Sequence, residues 1–389
     1  MEAIFWTSTL IILYTFIGYG IIITALAALK KKKTVAELAD EDLPEVTLMV
    51  AAYNEKDIIA EKVENCLALD YPTDKLRLLF VTDGSDDGTP EILQHLPRVE
   101  VLHQPTRKGK IAAVNRAMAF VDTDLVVFTD ANVMINAQGL KSMMRHFQSN
   151  LVGAVSGEKC VLSQDTDGAS ASGEGLYWQY ESYLKRKDAE WHSLVGAAGE
   201  LFAIRTRLYE PVQEDCLIED FIMTMGIAAS GYTVAYEPQA IASETASANI
   251  EEEAKRKVRI AAGGIQAISR LWGVVRPGRD GKLFFQYISH RVLRWTLMPV
   301  ALLLALLSNM LLWQSGAFYQ VTLMAQLVFY LLAGLGHLWQ NRKIAIKGFF
   351  SPYYFVFMHV CIVKGWWQQL KGKQQVTWQK AQRAVWVNS

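Results

Sequence analysis

The sequence predicts an α/β molecule: a Rossmann-like, mostly parallel sheet with helices on both faces, joined to transmembrane and interfacial α-helices. Three observations carry this expectation. From Pro44 to Ser156, short apolar stretches alternate with amphipathic ones, the spacing of strands and crossover helices in a parallel sheet. Residues 4–29 carry no charge and run directly into Lys30-Lys31-Lys32-Lys33. Two long apolar runs lie after residue 295. At 389 residues the chain exceeds one ordinary domain, and its hydrophobic residues, 51% of the total, are unevenly spread. Lys+Arg (39) equals Asp+Glu (39), so no global charge calls for nucleic acid.

Ile4–Leu29 has about the length of a membrane-spanning helix. It lacks the basic start and small-residue cleavage pattern of a removable signal. The lysines at its exit put themselves, and the domain after them, in the cytoplasm by the positive-inside rule. Val46–Ala52 then reads as a first strand and Asp57–Leu69 as a helix, followed by a second strand at Leu76–Val81. Thr89-Pro90-Glu91 opens a helix with a cap, a proline in the first turn and an acid against the dipole. Val99–Leu102, Leu125–Thr129 and Val152–Ser156 are further strands, with a helix over Gly109–Phe120. Cys66, Cys160, Cys216 and Cys361 show no ligand spacing and read as reduced, buried thiols.

The strand ends are polar and acidic. Ala52-Tyr53-Asn54-Glu55 follows the first strand, Asp83-Gly84-Ser85-Asp86-Asp87-Gly88-Thr89 the second and Asp130-Ala131-Asn132 the fourth. Ligands of open α/β sheets bind at these carboxyl ends. Asp83 can accept from a base imide or a ribose hydroxyl, whereas Asp86, Asp87 and Thr89 also suit an ordinary Asx turn. If the strand stays extended to Asn132, Asp130 and Asn132 project to one side as hard oxygen donors for Mg2+ or Mn2+, although the same residues are common in turns. Lys110, just inside a helix after Arg107-Lys108-Gly109, suits a phosphate contact. Neither GxGxxG after the first strand nor GxxxxGK[ST] anywhere supports a dinucleotide or P-loop site.

AAYNE, DGSDDGT, GK..AVN and TDAN, in this order and spacing, resemble the nucleotide-sugar half of a membrane-bound family 2 glycosyltransferase with the GT-A fold. The resemblance is to the cellulose, hyaluronan and poly-N-acetylglucosamine synthase group. It implies a UDP-sugar donor held by Ala52, Tyr53, Glu55, Asp83, Lys110, Asp130 and Arg294, and a metal held by Asp130 and Asn132. Gly196–Arg205 resembles the small-residue acceptor loop, with Gly199 against the acceptor. Glu219-Asp220 resembles the family's acid pair, Asp220 as general base and Glu219 in support; a helix cap is the plainer reading of the same residues. Arg291-Val292-Leu293-Arg294-Trp295 matches the R-W of Q-x-x-R-W but has Arg for Gln. In the family reading Arg294 meets the diphosphate and Trp295 stacks on the acceptor sugar; an interfacial Arg–Trp belt is the alternative. The departure at Arg291 bears on processivity.

Glu251–Trp272 and Leu283–Trp295 read as amphipathic helices, the second of the interfacial kind. Thr296–Trp313 and Ala317–Trp339 are long enough to span, and Pro352–Leu370, with His359 and Lys364, either spans or lies in the interface. The expected organisation is a membrane helix and basic flank (1–33), a cytosolic catalytic domain (44–250), interfacial helices (251–295), two or three membrane segments (296–371) and a basic tail (372–389). The resemblance implies a multi-pass protein of the cytoplasmic membrane that transfers sugar with inversion from UDP-glucose or UDP-N-acetylglucosamine to a growing polysaccharide. A single addition to a lipid, or a silent nucleotide-sugar-binding partner of another synthase, are the alternatives.

Overall fold

Leu48 and Val50 of the first strand enter one hydrophobic core and Met49 the other, and all seven residues of this strand, β1 (Val46–Ala52), are buried. An apolar run without alternation is what a strand covered on both faces requires. The computed structural model describes residues 1–31, 35–162, 169–339 and 347–372. Lys32, Lys33, most of the basic loop Arg342–Lys347 and the tail carrying Trp378 and Arg383 lie outside the described residues.

The remaining strands are β2 (Leu76–Asp83), β3 (Val99–Gln104), β4 (Leu125–Asp130), β5 (Met134–Ile135), β6 (Val152–Leu162), β7 (Leu201–Arg205) and β8 (Thr233–Thr245). They form one sheet in the order β3-β2-β1-β4-β7-β6-β8-β5. The half from β3 to β4 is parallel; β7 runs antiparallel to both β4 and β6, and β5 antiparallel to β8. Four of seven pairings are parallel, so the sheet is mixed with a parallel majority. Chain order reverses between β1 and β4, which places a crevice at their carboxyl ends.

Twelve helices are described: α1 (Glu2–Ala28, with a π turn at Tyr14–Gly18), α2 (Ile59–Leu67), α3 (Thr89–Gln94), α4 (Lys110–Met118), α5 (Gly139–Met144), α6 (Ala169–Trp191), α7 (Glu219–Ala229), α8 (Ile250–Leu271), α9 (Gly281–Trp295, π-helical at Ile288–Val292), α10 (Leu297–Leu311), α11 (Ala317–Trp339) and α12 (Lys347–Leu370). α2 and α5 cover one sheet face, α4 and α7 the other. Two helices, α1 and α11, are long and apolar enough to cross a membrane. They expose Leu10, Leu13, Ile17, Ile21, Val321, Leu327 and Leu331, an apolar surface suited to lipid and not to water. α10, by contrast, has only 15 residues. At about 1.5 Å per residue that is roughly 22 Å, short of a bilayer core. It reaches spanning length only with α9, across a 56° bend. α12 packs against α6, α8 and α11.

Candidate active site

The carboxyl end of β2 delivers Asp83 to the crevice. Its Oδ2 accepts from the backbone N–H of Lys108 (2.8 Å) and Gly109 (2.6 Å). Its buried Oδ1 has no hydrogen-bond partner, the nearest cation being Arg116 at 3.8 Å. A buried acceptor left open beside a pocket is available to a ligand donor. Ala52, Tyr53, Asp83, Arg107 and Lys110 line that small pocket, with the Arg107 guanidinium 3.7 Å from the Tyr53 ring centroid. Asp87 Oδ1 accepts from Thr89 N (3.0 Å) and Thr89 Oγ1 (2.6 Å), the turn chemistry expected of it. Glu55 does not join the pocket. It is buried, its N–H donates to Thr89 Oγ1 (3.0 Å) and its carbonyl accepts from Ile58 and Ile59 at the start of α2.

Lys110 reaches a second, larger cavity of about 1360 Å³ on which Asp130, Gly199, Glu219, Asp220, Arg294 and Trp295 converge. Its Nζ lies 2.7 Å from Asp130 Oδ1 and 2.8 Å from Glu219 Oε1, bridging β4 to the first turn of α7. Burial opposes this charge, but the two carboxylates outweigh it and raise the Lys110 pKa. Burial likewise favours neutral Glu219, and Lys110 overrides it and holds the acid below its ordinary value. Asp220 has no such partner. Burial, reinforced by repulsion from Glu219, lifts it to about 7. Adjacent acids thus divide into a fixed carboxylate and a titrating one, the pattern of acid–base sites. A Cβ on Gly199 would come 3.1 Å from Asp220 Oδ2, so this loop backbone lies directly against the titrating acid.

The chain turns immediately after Asp130: Val133 N donates to Asp130 O (3.3 Å). The extended conformation ends at Asp130, Asn132 lies in the turn that follows, and Asn132 is off the cavity wall. Asp130 by itself still fits Mg2+ or Mn2+, since such ions take one or two protein carboxylates and complete their shell from phosphates and water. The Lys110 ammonium between Asp130 and Glu219 shows that positive charge is held at this point. Among the described residues no group of three or more His, Cys, Asp or Glu forms a protein-only cage.

Arg294 and Trp295 close the far wall. Trp295 packs its indole over Gly264 and edge-on to Phe221, 5.3 Å between centroids. Arg294 Nη1 donates to Glu181 Oε2 (2.9 Å), while its buried Nε and Nη2 have no hydrogen-bond partner among the described residues. Arg291, the residue in place of Gln, binds the other oxygen of Glu181 at 2.6 Å. His290 Nδ1 lies 2.5 Å from Asp188 Oδ2, and Tyr19 of α1 donates to Asp188 Oδ1. Sequence reasoning missed α6 and its Trp178, Glu181, Lys185 and Asp188. The signal was there: Glu181, Leu184, Lys185 and Asp188 recur at helical spacing.

Residues 47–212 match the family model for glycosyl transferase family 2. The chain is 30% identical over 164 residues to the beta-monoglucosyldiacylglycerol synthase of Synechocystis, covering 41% of this chain and 33% of that one. It is 25% identical over 244 residues to the poly-beta-1,6-N-acetyl-D-glucosamine synthase of Staphylococcus aureus, covering 59% of this chain and 57% of the other. The chain thus spans between a third and three-fifths of these curated relatives. Among solved structures it resembles a mannosyltransferase from Pyrobaculum calidifontis in complex with GDP-mannose and Mn2+, with a TM-score of 0.74, 21% identity, and 96% and 99% of the two chains covered. Residues 47–212 thus match a glycosyl transferase family 2 domain, and the chain has the GT-A fold of its structural neighbour.

Proposed function

We propose that the protein transfers a sugar from a UDP-sugar, with inversion, to an acceptor presented from the membrane. Support comes first from Asp220: a carboxylate lifted to about 7, against the Gly199 backbone, in the cavity that Lys110 and Asp130 enter from the donor side. The open Oδ1 of Asp83 and the Tyr53 wall suit a nucleoside, and Lys110 and Arg294 the diphosphate. The acceptor hydroxyl attacks the anomeric carbon on the face opposite the diphosphate. As the new C–O bond forms, Asp220 takes the hydroxyl proton and the bond to the diphosphate breaks, releasing UDP. Glu219, held ionised by Lys110, keeps Asp220 from ionising too readily. A magnesium or manganese ion on Asp130 supplies charge neutralisation to the diphosphate when bound.

The acceptor side favours a lipid-borne hydroxyl: the same cavity is walled by Phe16 of α1 and by Phe355, Met358 and Ile362 of α12. Arg291, which shares Glu181 with Arg294, stands in place of the Gln of the processive signature, which also points to single addition. A growing polysaccharide is the second reading, supported by Trp178, Trp295 and Trp367 on the wall. The protein is read as multi-pass in the cytoplasmic membrane with its catalytic domain in the cytosol. The deciding experiment is Asp220→Asn in the full chain. It is expected to bind UDP-sugar with unchanged affinity and to lose at least about a thousandfold in turnover, in line with general-base catalysis plus wrong protonation. Turnover equal to wild type removes Asp220 as the base.

A further inference from the structure

The cavity holds a second charged cluster that the transfer step does not use. Trp178 of α6 is ringed by three ammonium groups: Lys257, Lys159 and Lys185 lie 5.2, 5.3 and 5.6 Å from its ring. All three lysines are at most 5% exposed. Lys159 is paired with Glu200 and Glu244, and Lys257 with Glu253 at 3.2 Å. Lys185 differs. Among the described residues it makes no hydrogen bond and no ion pair; it has only the face of Trp178 and the open cavity. An ammonium group offers three donors and no acceptor, and Lys185 presents them to the cavity. Its free donors suit an anion that enters the cavity.

The neighbouring walls say what carries that anion. The Tyr177 ring lies 5.7 Å from Lys257 Nζ and 6.2 Å from the Tyr354 ring, leading from the lysines onto α12 and its apolar side chains. In the other direction, Lys159 binds Glu200, the residue after Gly199, which lies against Asp220. The lysines thus lie between the apolar side chains of α12 and the loop against the titrating acid, the place for an anionic group that joins an apolar chain to a hydroxyl. A uronic-acid polymer repeats its charge and has no tail. We propose that Lys185, with Lys159 and Lys257, binds the phosphoryl group of a membrane phospholipid whose head-group hydroxyl receives the sugar. This rests on the transferase reading above. The hydroxyl proton goes to Asp220, the sugar–diphosphate bond breaks, and the phosphoryl group keeps its bonds and its charge throughout.

The test is binding, so it does not depend on turnover. The full chain in neutral maltoside micelles is titrated with phosphatidylglycerol or diacylglycerol, which share tails and a free hydroxyl and differ by the phosphoryl group. Competition against fluorescent phosphatidylglycerol gives the affinities. Phosphatidylglycerol is expected to bind at least about tenfold more tightly, the scale of one well-placed charge contact. Lys185→Met is expected to erase that preference and Lys185→Arg to keep it, with donor affinity unchanged in both. Lys185→Met should also melt no lower than wild type, because Lys185 makes no ion pair or hydrogen bond among the described residues for the substitution to remove. Equal binding of the two lipids overturns the proposal, as does a preference that survives Lys185→Met. A lower Tm with the preference intact makes Lys185 structural. Glycerol 3-phosphate competing as well as the lipid makes this a free-phosphate site, and polygalacturonate competing better makes it a polymer site; either overturns the lipid. Should Asp220→Asn retain full turnover, the catalytic assignment fails while this binding result still stands or falls on its own.

Discussion

With Asp220 as the proposed base, stability and activity should move in opposite directions with pH. Burial and Glu219 raise its pKa to about 7, so the folded protein binds this proton more tightly than the unfolded chain does. Stability from this group is full at low pH. It falls as pH rises from the ordinary carboxylate range to about 7, and changes no further above that. Activity requires the ionised base and rises over the upper part of the same window. A kcat/KM profile should therefore show a basic-side plateau and an acidic limb with an apparent pKa near 7. Melting curves give the partner result: Asp220→Asn should be more stable than wild type at pH 8 and indistinguishable at pH 4. A fixed advantage at both values would trace to packing and not to charge. At the opposite wall, Gly264 lies under Trp295, where a Cβ would come 2.6 Å from Cδ2. Gly264→Ala should displace the indole at a cost of about 1–3 kcal/mol, typical of overpacking, and raise the acceptor KM more than the donor KM. Asp220 was legible in the sequence because its apolar neighbours announce burial. Glu55 was read as a donor contact from its residue type; the structure places it off the small pocket, with its backbone at the start of α2.

Elements were legible where one physical rule dominated. β1, β4 and, after Arg77, β2 are covered on both faces and read as largely apolar runs without alternation. β8 escaped because it contains Pro238, which argues against a strand. The structure accommodates it in a register shift opposite Ser156–Glu158, and Gly157 there leaves room for the Ala240 carbonyl, 2.7 Å from where a Cβ would be. α6 escaped for another reason: charges at helical spacing ordinarily mark a solvated face, yet Glu181, Lys185 and Asp188 are buried. α8, legible from its acids-then-bases order, is fixed at its start by Asn249, whose side chain accepts from Glu252 N at 2.9 Å. Because α8 carries Lys257 and Gly264, its cap serves both walls of the cavity. Asn249→Ala should cost about 1 kcal/mol, read as a Tm decrease, with donor affinity preserved.

At the scale of the whole molecule, the first membrane helix is part of the catalytic domain's structure and more than a tether. The sequence announced α1 by its length and its lysines, but gave no sign of what it touches, since Tyr14, Thr15 and Tyr19 are ordinary residues of a membrane helix. Tyr14 Oη lies 2.7 Å from Ser289 Oγ, Tyr180 Oη donates to the Phe16 carbonyl at 2.6 Å, and Tyr19 donates to Asp188. Asp188 also faces His290, next to the Arg291 that grips Glu181 with Arg294. Removing α1 would leave the Asp188 carboxylate short of a donor inside a buried charged cluster, a costly state. A variant lacking residues 1–28 should consequently fail to give a cooperatively folded soluble domain, although residues 44–250 contain the whole sheet. The milder Tyr19→Phe keeps the packing and removes one hydrogen bond. It should cost about 1–3 kcal/mol and lower kcat by loosening Arg294, with donor KM little changed. If the shortened variant melts cooperatively at the wild-type temperature, α1 is only an anchor, and the cluster from Tyr19 to Arg294 does not join membrane helix to active site.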